Sequence, residues 1–414
     1  VHALSFEQAP PPSAPLRFFL TAPLFLFLGG GLLMADGGQA LVSRWTPSAL
    51  ALTHLLTVGF MLQVMLGALF QLMPVAVGAN LWQPARLAAI IHGLSVVGAL
   101  LLVAGFRFSL DGALLGGGVL LAATLLAFSL IALRALWRTP AHGATVIALR
   151  WAVAALALTV LLGLAMAAAR SGHGALAVLG WSSLHVGLGL AGWGGGLVAA
   201  TAYLAVPMFQ LTPAYPAGFT RHFAPAVALA LAGAAALDHA LAWLPLLGLM
   251  SAFALLTLDR QRRRRRAKAD VSLRLWQLAM GCVIAGVTVC TAHIAGALPA
   301  TGAQAAGVLL LWGGFVSLIV GMLYKIMPFI LWLYLEPRLA NVPPMTRMLS
   351  EPLIRWHLRA HVATLAASLA VLYLPALEPL AGLLMAVAAL LLAAQLLRLA
   401  HKARRALARG AQAS

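Results

Sequence analysis

Charge is what this sequence has least of: Asp, Glu, Lys and Arg together make up 9% of its 414 residues, against roughly 25% in a soluble globular domain. With 63% of residues hydrophobic, that scarcity excludes a water-soluble protein. Apolar runs of about 20 residues, enough to cross ~30 Å of hydrocarbon, recur from Leu16 to Leu399 with only short polar breaks. Cysteine is nearly absent too. Cys282 and Cys290 lie within a single apolar stretch, which excludes a disulfide framework and a CxxC metal or redox site. Acid is the third scarcity: Glu7, Asp36, Asp111, Asp238, Asp259, Asp270, Glu336, Glu351 and Glu378 all fall in tails, loops or span ends. Ion-coupled carriers commonly bind the coupled ion on a carboxylate buried in the membrane, and no acid here sits at mid-span.

What remains reads as an all-α, polytopic membrane bundle of about twelve transmembrane helices forming a single transmembrane domain over residues 1–414. The predicted spans are 17–36, 47–77, 85–106, 112–136, 145–169, 179–208, 219–237, 240–258, 272–297, 303–334, 357–375 and 379–400. The polar, Pro-rich start lacks a small-residue cleavage signature, so the first span reads as a retained helix. Basic residues stay on the cytoplasmic face. The segment RQRRRRRAK (Arg260–Lys268), Arg134 and Arg138, and Lys402, Arg404, Arg405 and Arg409 all fall on one side, whereas the opposite loops carry single arginines such as Arg44, Arg107 and Arg170. Both ends are therefore expected inside, with a cytoplasmic tail at 1–16, a basic loop at 259–271 and a second tail at 401–414. The net charge of +18 then reports topology and anionic-lipid contact, not nucleic acid.

Aligning the chain on its intramembrane prolines exposes a repeat. HLLTVGFMLQVMLGALFQLMP ends at Pro74, HVGLGLAGWGGGLVAATAYLAVP at Pro207 and GVLLLWGGFVSLIVGMLYKIMP at Pro328. Each has a small residue seven places before the proline (Gly67, Ala200, Gly321) and an aromatic four places before it (Phe70, Tyr203, Tyr324). These are spans two, six and ten, so the reading is three four-helix units, with small residues allowing close helix approach in lipid.

Twelve histidines remain, and an ionisable side chain in hydrocarbon is a functional hypothesis by default. His54 and His185 fall in the outer parts of spans two and six, His293 at a similar depth in span nine, and His173 and His239 in or beside outer loops. Neutral imidazole is the commonest protein ligand for metals and haem iron. The candidate cofactor-binding set is therefore His54, His185, His293 and His239, with His185 and His293 as candidate metal ligands. Cys290, three residues before His293, allows a mixed Cys/His copper site, although a small cysteine more often serves packing. His357 and His361, among Arg355 and Arg359, read as interfacial, and Lys325 as a cation snorkelling to the inner face.

Twelve helices, a threefold repeat and histidines in the outer parts of spans two and six resemble the catalytic subunit I of haem-copper oxidases. The chain is also similar to the NnrS family of membrane haem and copper proteins linked to bacterial nitric oxide stress. The resemblance implies haem, expected as b-type, and copper as cofactors. It implies a small gas ligand such as nitric oxide or oxygen, a respiratory redox partner, and a place in the bacterial cytoplasmic membrane. Carried over by position, His54 matches the low-spin haem ligand of span two and His185 the copper ligand of span six. Span ten has no histidine and span seven lacks the paired histidines of a copper site. A standard oxygen-reducing centre is therefore not expected, and His293 and His239 are the candidates for a second haem ligand. The competing readings are a haem-free permease and a non-catalytic partner subunit of a respiratory complex.

Overall fold

The computed structural model describes residues 5–237, 239–265, 268–299, 301–339 and 341–413. Asp238 and Arg266, named above, lie outside the described residues. Helix dominates, and no strand occurs among the described residues. The twelve long helices are α1 (Ser13–Asp36), α2 (Pro47–Val77), α3 (Pro84–Phe108), α4 (Asp111–Arg138), α5 (Ala144–Arg170), α6 (Ser182–Gln210), α7 (Ala217–Leu237), α8 (Ala240–Arg262), α9 (Val271–Ile294), α10 (Thr301–Arg338), α11 (Glu351–Val371) and α12 (Glu378–Ala413). All but α11 are long and apolar enough to cross a membrane on that basis alone. In α11 the run EPLIRWHLRAH dilutes the apolar composition. α12 continues as helix to Ala413, through most of the segment expected to be a tail.

The helix boundaries follow local chemistry. Thr46 caps α2, its hydroxyl accepting the Ala49 N–H at 3.0 Å ahead of Pro47 in the first turn, and Asp270 caps α9 by accepting from Leu273 N–H at 2.9 Å. Such caps satisfy amides that have no intrahelical partner. Gly37 and Gly78 end α1 and α2 in left-handed conformation, which glycine adopts without steric cost.

Burial sorts the helices into two shells. The most apolar windows of α2, α6 and α10 are 67–78% buried, whereas no other span exceeds 50%. The outer helices present apolar residues at helical spacing to their surroundings, such as Ile90, Leu94, Val97 and Leu101 on α3 and Leu383, Val387 and Leu390 on α12. An outward-facing apolar stripe on so many helices is what a lipid environment selects.

The three inner helices are copies of one another in detail. Each contains a π-helical stretch, Leu55–Met61, Leu188–Gly195 and Leu309–Val316, and each stretch begins nineteen residues before the helix's own proline. Fifteen before the proline stands glycine in every copy (Gly59, Gly192, Gly313). A Cβ at these positions would fall 2.4 Å from Phe25, 2.8 Å from Ala155 and 2.6 Å from Cys282, on the first helix of the same unit in each case. Their absent side chains let α1, α5 and α9 seat on the π stretches. Where the inner helices converge they line a partly open cavity of about 50 Å³. Its walls come from Val64, Met65 and Ala68; from Leu197, Val198 and Thr201; and from Leu318, Ile319 and Met322. These are the tenth, ninth and sixth residues before each proline.

The units close into a ring. The last helix of each packs on the first of the next, α4 on α5, α8 on α9 and α12 on α1. At the α12–α1 seam Gly30 and Gly382 meet backbone to backbone, a Cβ on either lying 2.5 Å from the other's carbonyl oxygen. Ion pairs join neighbouring helices, Arg107 with Asp36 at 2.6 Å and Lys325 with Asp270 at 2.7 Å. Lys325 is thus paired, where the sequence suggested a snorkelling cation. Glu378 is fully buried at the start of α12, and its carboxylate accepts the Ala40 N–H at 3.2 Å.

Candidate functional site

Of the four predicted site histidines, His54 and His185 lie on two equivalent inner helices, α2 and α6. His54 immediately precedes the π stretch of α2, and His185 lies three residues before that of α6. A π stretch rotates the residues before it relative to those after it, and such stretches recur at functional sites.

Both rings are held the same way. His54 Nδ1 lies 2.7 Å from Leu50 O, one turn back on its own helix, and His185 Nδ1 lies 3.1 Å from Thr159 O on α5. A carbonyl only accepts, so Nδ1 carries the proton in each and donates. Each neutral ring then keeps its lone pair on Nε2. This is the arrangement by which a backbone carbonyl orients a histidine ligand and fixes its tautomer.

Each ring packs closely against a neighbouring helix. Phe106 of α3 stacks on His54 with ring centroids 4.8 Å apart, and the Arg170 guanidinium lies 6.0 Å from the Phe106 centroid. On α5, Gly163 makes room for the second ring, since a Cβ there would stand 3.0 Å from His185 Cε1.

The other two predicted residues lie elsewhere. His239 is exposed, and its Nδ1 accepts the Leu241 N–H at 3.2 Å as the cap of the 3-10 turn that opens α8. His293, near the end of α9, lies beside the position of Gly302 and has a buried Nδ1 without a partner. Cys290 stands three residues before it, partly buried. Cys282 is a packing residue, its sulfur filling the space over Gly313. Among the described residues no group of three or more His, Cys, Asp and Glu is placed to hold a metal ion.

The reading of His357 and His361 as interfacial is corrected by the structure. Both are buried, at 1% and 0% exposure. The physical reason is helical spacing: Ile354, His357, His361, Thr364 and Ser368 form one inward stripe of α11, while Arg355 pairs with Glu351 and Arg359 lies over Trp356. Pattern at i, i+4, i+7 carried that signal, and the neighbouring arginines masked it.

The fold and this geometry define a multi-pass helical membrane protein built from three equivalent four-helix units. Neither the protein-family models nor the curated proteins searched contain a match to the chain.

Proposed function

We propose that the chain is a haem-binding protein of the bacterial cytoplasmic membrane, with both ends on the basic, cytoplasmic side, related in plan to haem-copper oxidase subunit I and the NnrS proteins. The observation that carries the reading is the matched pair His54 and His185. They stand just ahead of the π stretch on two equivalent inner helices, with Nδ1 of each tied to a backbone carbonyl and Nε2 left as the donor.

In this reading His54 holds the haem iron and His185 supplies the second metal-facing imidazole, to copper or to the haem. Phe106 covers the face of His54, and Arg170 is the cation for a propionate. Bound haem would supply one-electron chemistry and a place for a gas ligand such as nitric oxide or oxygen, with electrons from a respiratory partner. The chain's own part is to orient two imidazoles and to keep water from them with α3 and α5.

Purification in mild detergent after expression with haem supplied, followed by absorption spectroscopy, tests this. The expected result is a Soret band that His54→Ala abolishes and His185→Ala shifts or abolishes. A wild-type protein without the band sinks the proposal and leaves a haem-free permease or a partner subunit.

A further inference from the structure

The third unit holds a second group of polar side chains, on the stripe of α11 that faces α10. His357 and His361 are one helical turn apart, fully buried, with ring centroids 5.7 Å apart. Nδ1 of each is buried and has no hydrogen-bond partner. Tyr324, which meets His357 edge to face at 5.7 Å, has a buried hydroxyl that is also unpartnered. Three orphaned polar atoms in a membrane interior each carry a desolvation cost that nothing in the protein offsets.

The remaining contacts show what His361 is prepared for. Its Nε2 lies 2.7 Å from Ser317 Oγ, and the Ser317 hydroxyl donates to Trp312 O at 3.2 Å. The serine's one proton is therefore committed, so His361 Nε2–H donates to it and the lone pair of the ring resides on the orphaned Nδ1. Trp312 stacks on the same ring at 4.8 Å and donates its Nε1–H to His361 O at 3.0 Å, holding it from the other side. This is outer-shell support of the kind that fixes a metal-binding imidazole.

The equivalent place in the first unit makes the contrast. The residue eleven before the proline is Gln63 in α2 and Ser317 in α10, and both reach the third helix of their unit. Gln63 bonds Ser95 at 3.0 Å, and His92 Nε2 finds Thr21 Oγ1 at 3.0 Å. There the polar groups satisfy one another. In the third unit they do not.

We infer that His357 and His361 form a binding site for a single copper(I) ion, ligated through their two Nδ1 atoms beside Tyr324. Histidines at i and i+4 on one helix face are a recurrent chelating pair. Two imidazole nitrogens about 2.0 Å from a shared ion place the ring centroids about 5–6.5 Å apart, which the observed 5.7 Å fits. The charge of the ion follows from the surroundings: among the described residues no carboxylate acts on either ring. With neutral ligands only, the cost of burying an ion grows as the square of its charge, about four times greater for a divalent than for a monovalent cation. Soft, monovalent copper meets that condition, and zinc does not. The site is independent of the one assigned to His54 and His185.

The test is copper content of the purified full-length protein loaded with copper(I) under reductant, with zinc loading in parallel and a chromophoric copper(I) chelator as competitor. One equivalent of copper is expected in the His54→Ala, His185→Ala double variant, the background in which the further substitutions are made. His357→Gln and His361→Gln should each lose it, and Tyr324→Phe should keep it. Ser317→Ala preserves both rings and should weaken copper retention about 10–100-fold; it carries the test if the histidine variants do not fold. Copper retained by His357→Gln and His361→Gln, unchanged affinity in Ser317→Ala, no copper in the double variant, or zinc held in preference to copper would each overturn the inference.

Discussion

Replacing Gly59 by alanine should destabilise the bundle even though alanine is the better helix former. The added Cβ would stand 2.4 Å from Phe25 Cδ1, 2.5 Å from Cγ and 2.7 Å from Cβ, and the Phe25 ring, fully buried, has no free space to enter. Overpacking of this kind costs about 1–3 kcal/mol, while glycine to alanine in a helix returns up to about 1 kcal/mol. Gly307, two residues before the π stretch of α10, has nothing within 4 Å of its Cβ position, so Gly307→Ala reports the helix-forming gain alone. The difference between the two variants isolates the clash. Measured as thermal midpoints in one detergent by tryptophan fluorescence, Gly59→Ala should melt several degrees below wild type and Gly307→Ala at or above it. Gly313→Ala and Gly192→Ala, whose Cβ atoms would meet Cys282 Sγ at 2.6 Å and Ala155 Cβ at 2.8 Å, should fall between. If Gly59→Ala and Gly307→Ala melt together, the seating of α1 on the π stretch is not the constraint described above.

Four further outcomes are expected. Gly163→Val, which drives a side chain into His185 Cε1 at 3.0 Å, should alter the absorption spectrum as His185→Ala does and leave the protein monodisperse on size-exclusion chromatography. Asp270→Ala should cost more than Lys325→Met in thermal stability: the partly exposed ion pair contributes about 0–1 kcal/mol, whereas Asp270 also caps α9 through Leu273, worth about 1 kcal/mol more. Glu378→Leu strands the Ala40 N–H that the carboxylate accepts and should lower stability by about 1–3 kcal/mol, with Glu378→Gln less severe. Burial raises the Tyr215 hydroxyl above its ordinary range, so its bond to Thr257 at 2.9 Å is fully present at neutral pH; the stability it brings should decline only as pH rises past 10.0, read from thermal midpoints of wild type against Tyr215→Phe.

The helices and their repeat were legible in the sequence because their cause is local. Long apolar runs demand helix in lipid, and each inner helix carries its own proline as a marker. The π stretches were not legible, because adding a residue to a turn leaves no residue signature; only three copies in one register reveal them. His54 and His185 were singled out by their similar places near the start of inner helices. That each would be oriented by a carbonyl was beyond reach, since Thr159 lies on another helix. His239 illustrates the converse: nothing in the letters distinguishes a capping histidine from a ligand. Arg355 and Arg359 made the start of α11 look like an interface, although the stripe from Ile354 to Ser368 already separated a polar buried face from a charged outer one.

The seam between α12 and α1 has a consequence for biosynthesis. Membrane proteins emerge from the ribosome in order, so the first helix enters the bilayer long before its closing neighbour is made. Until α12 arrives, Gly30 lies in a groove with no opposing backbone, and the nascent ring is open along one side. Lipid, another nascent chain or an insertion factor would occupy that groove for most of translation. Closure of the ring then depends on the arrival of Gly382 against Gly30, where a side chain on either glycine would stand 2.5 Å from the other's carbonyl oxygen.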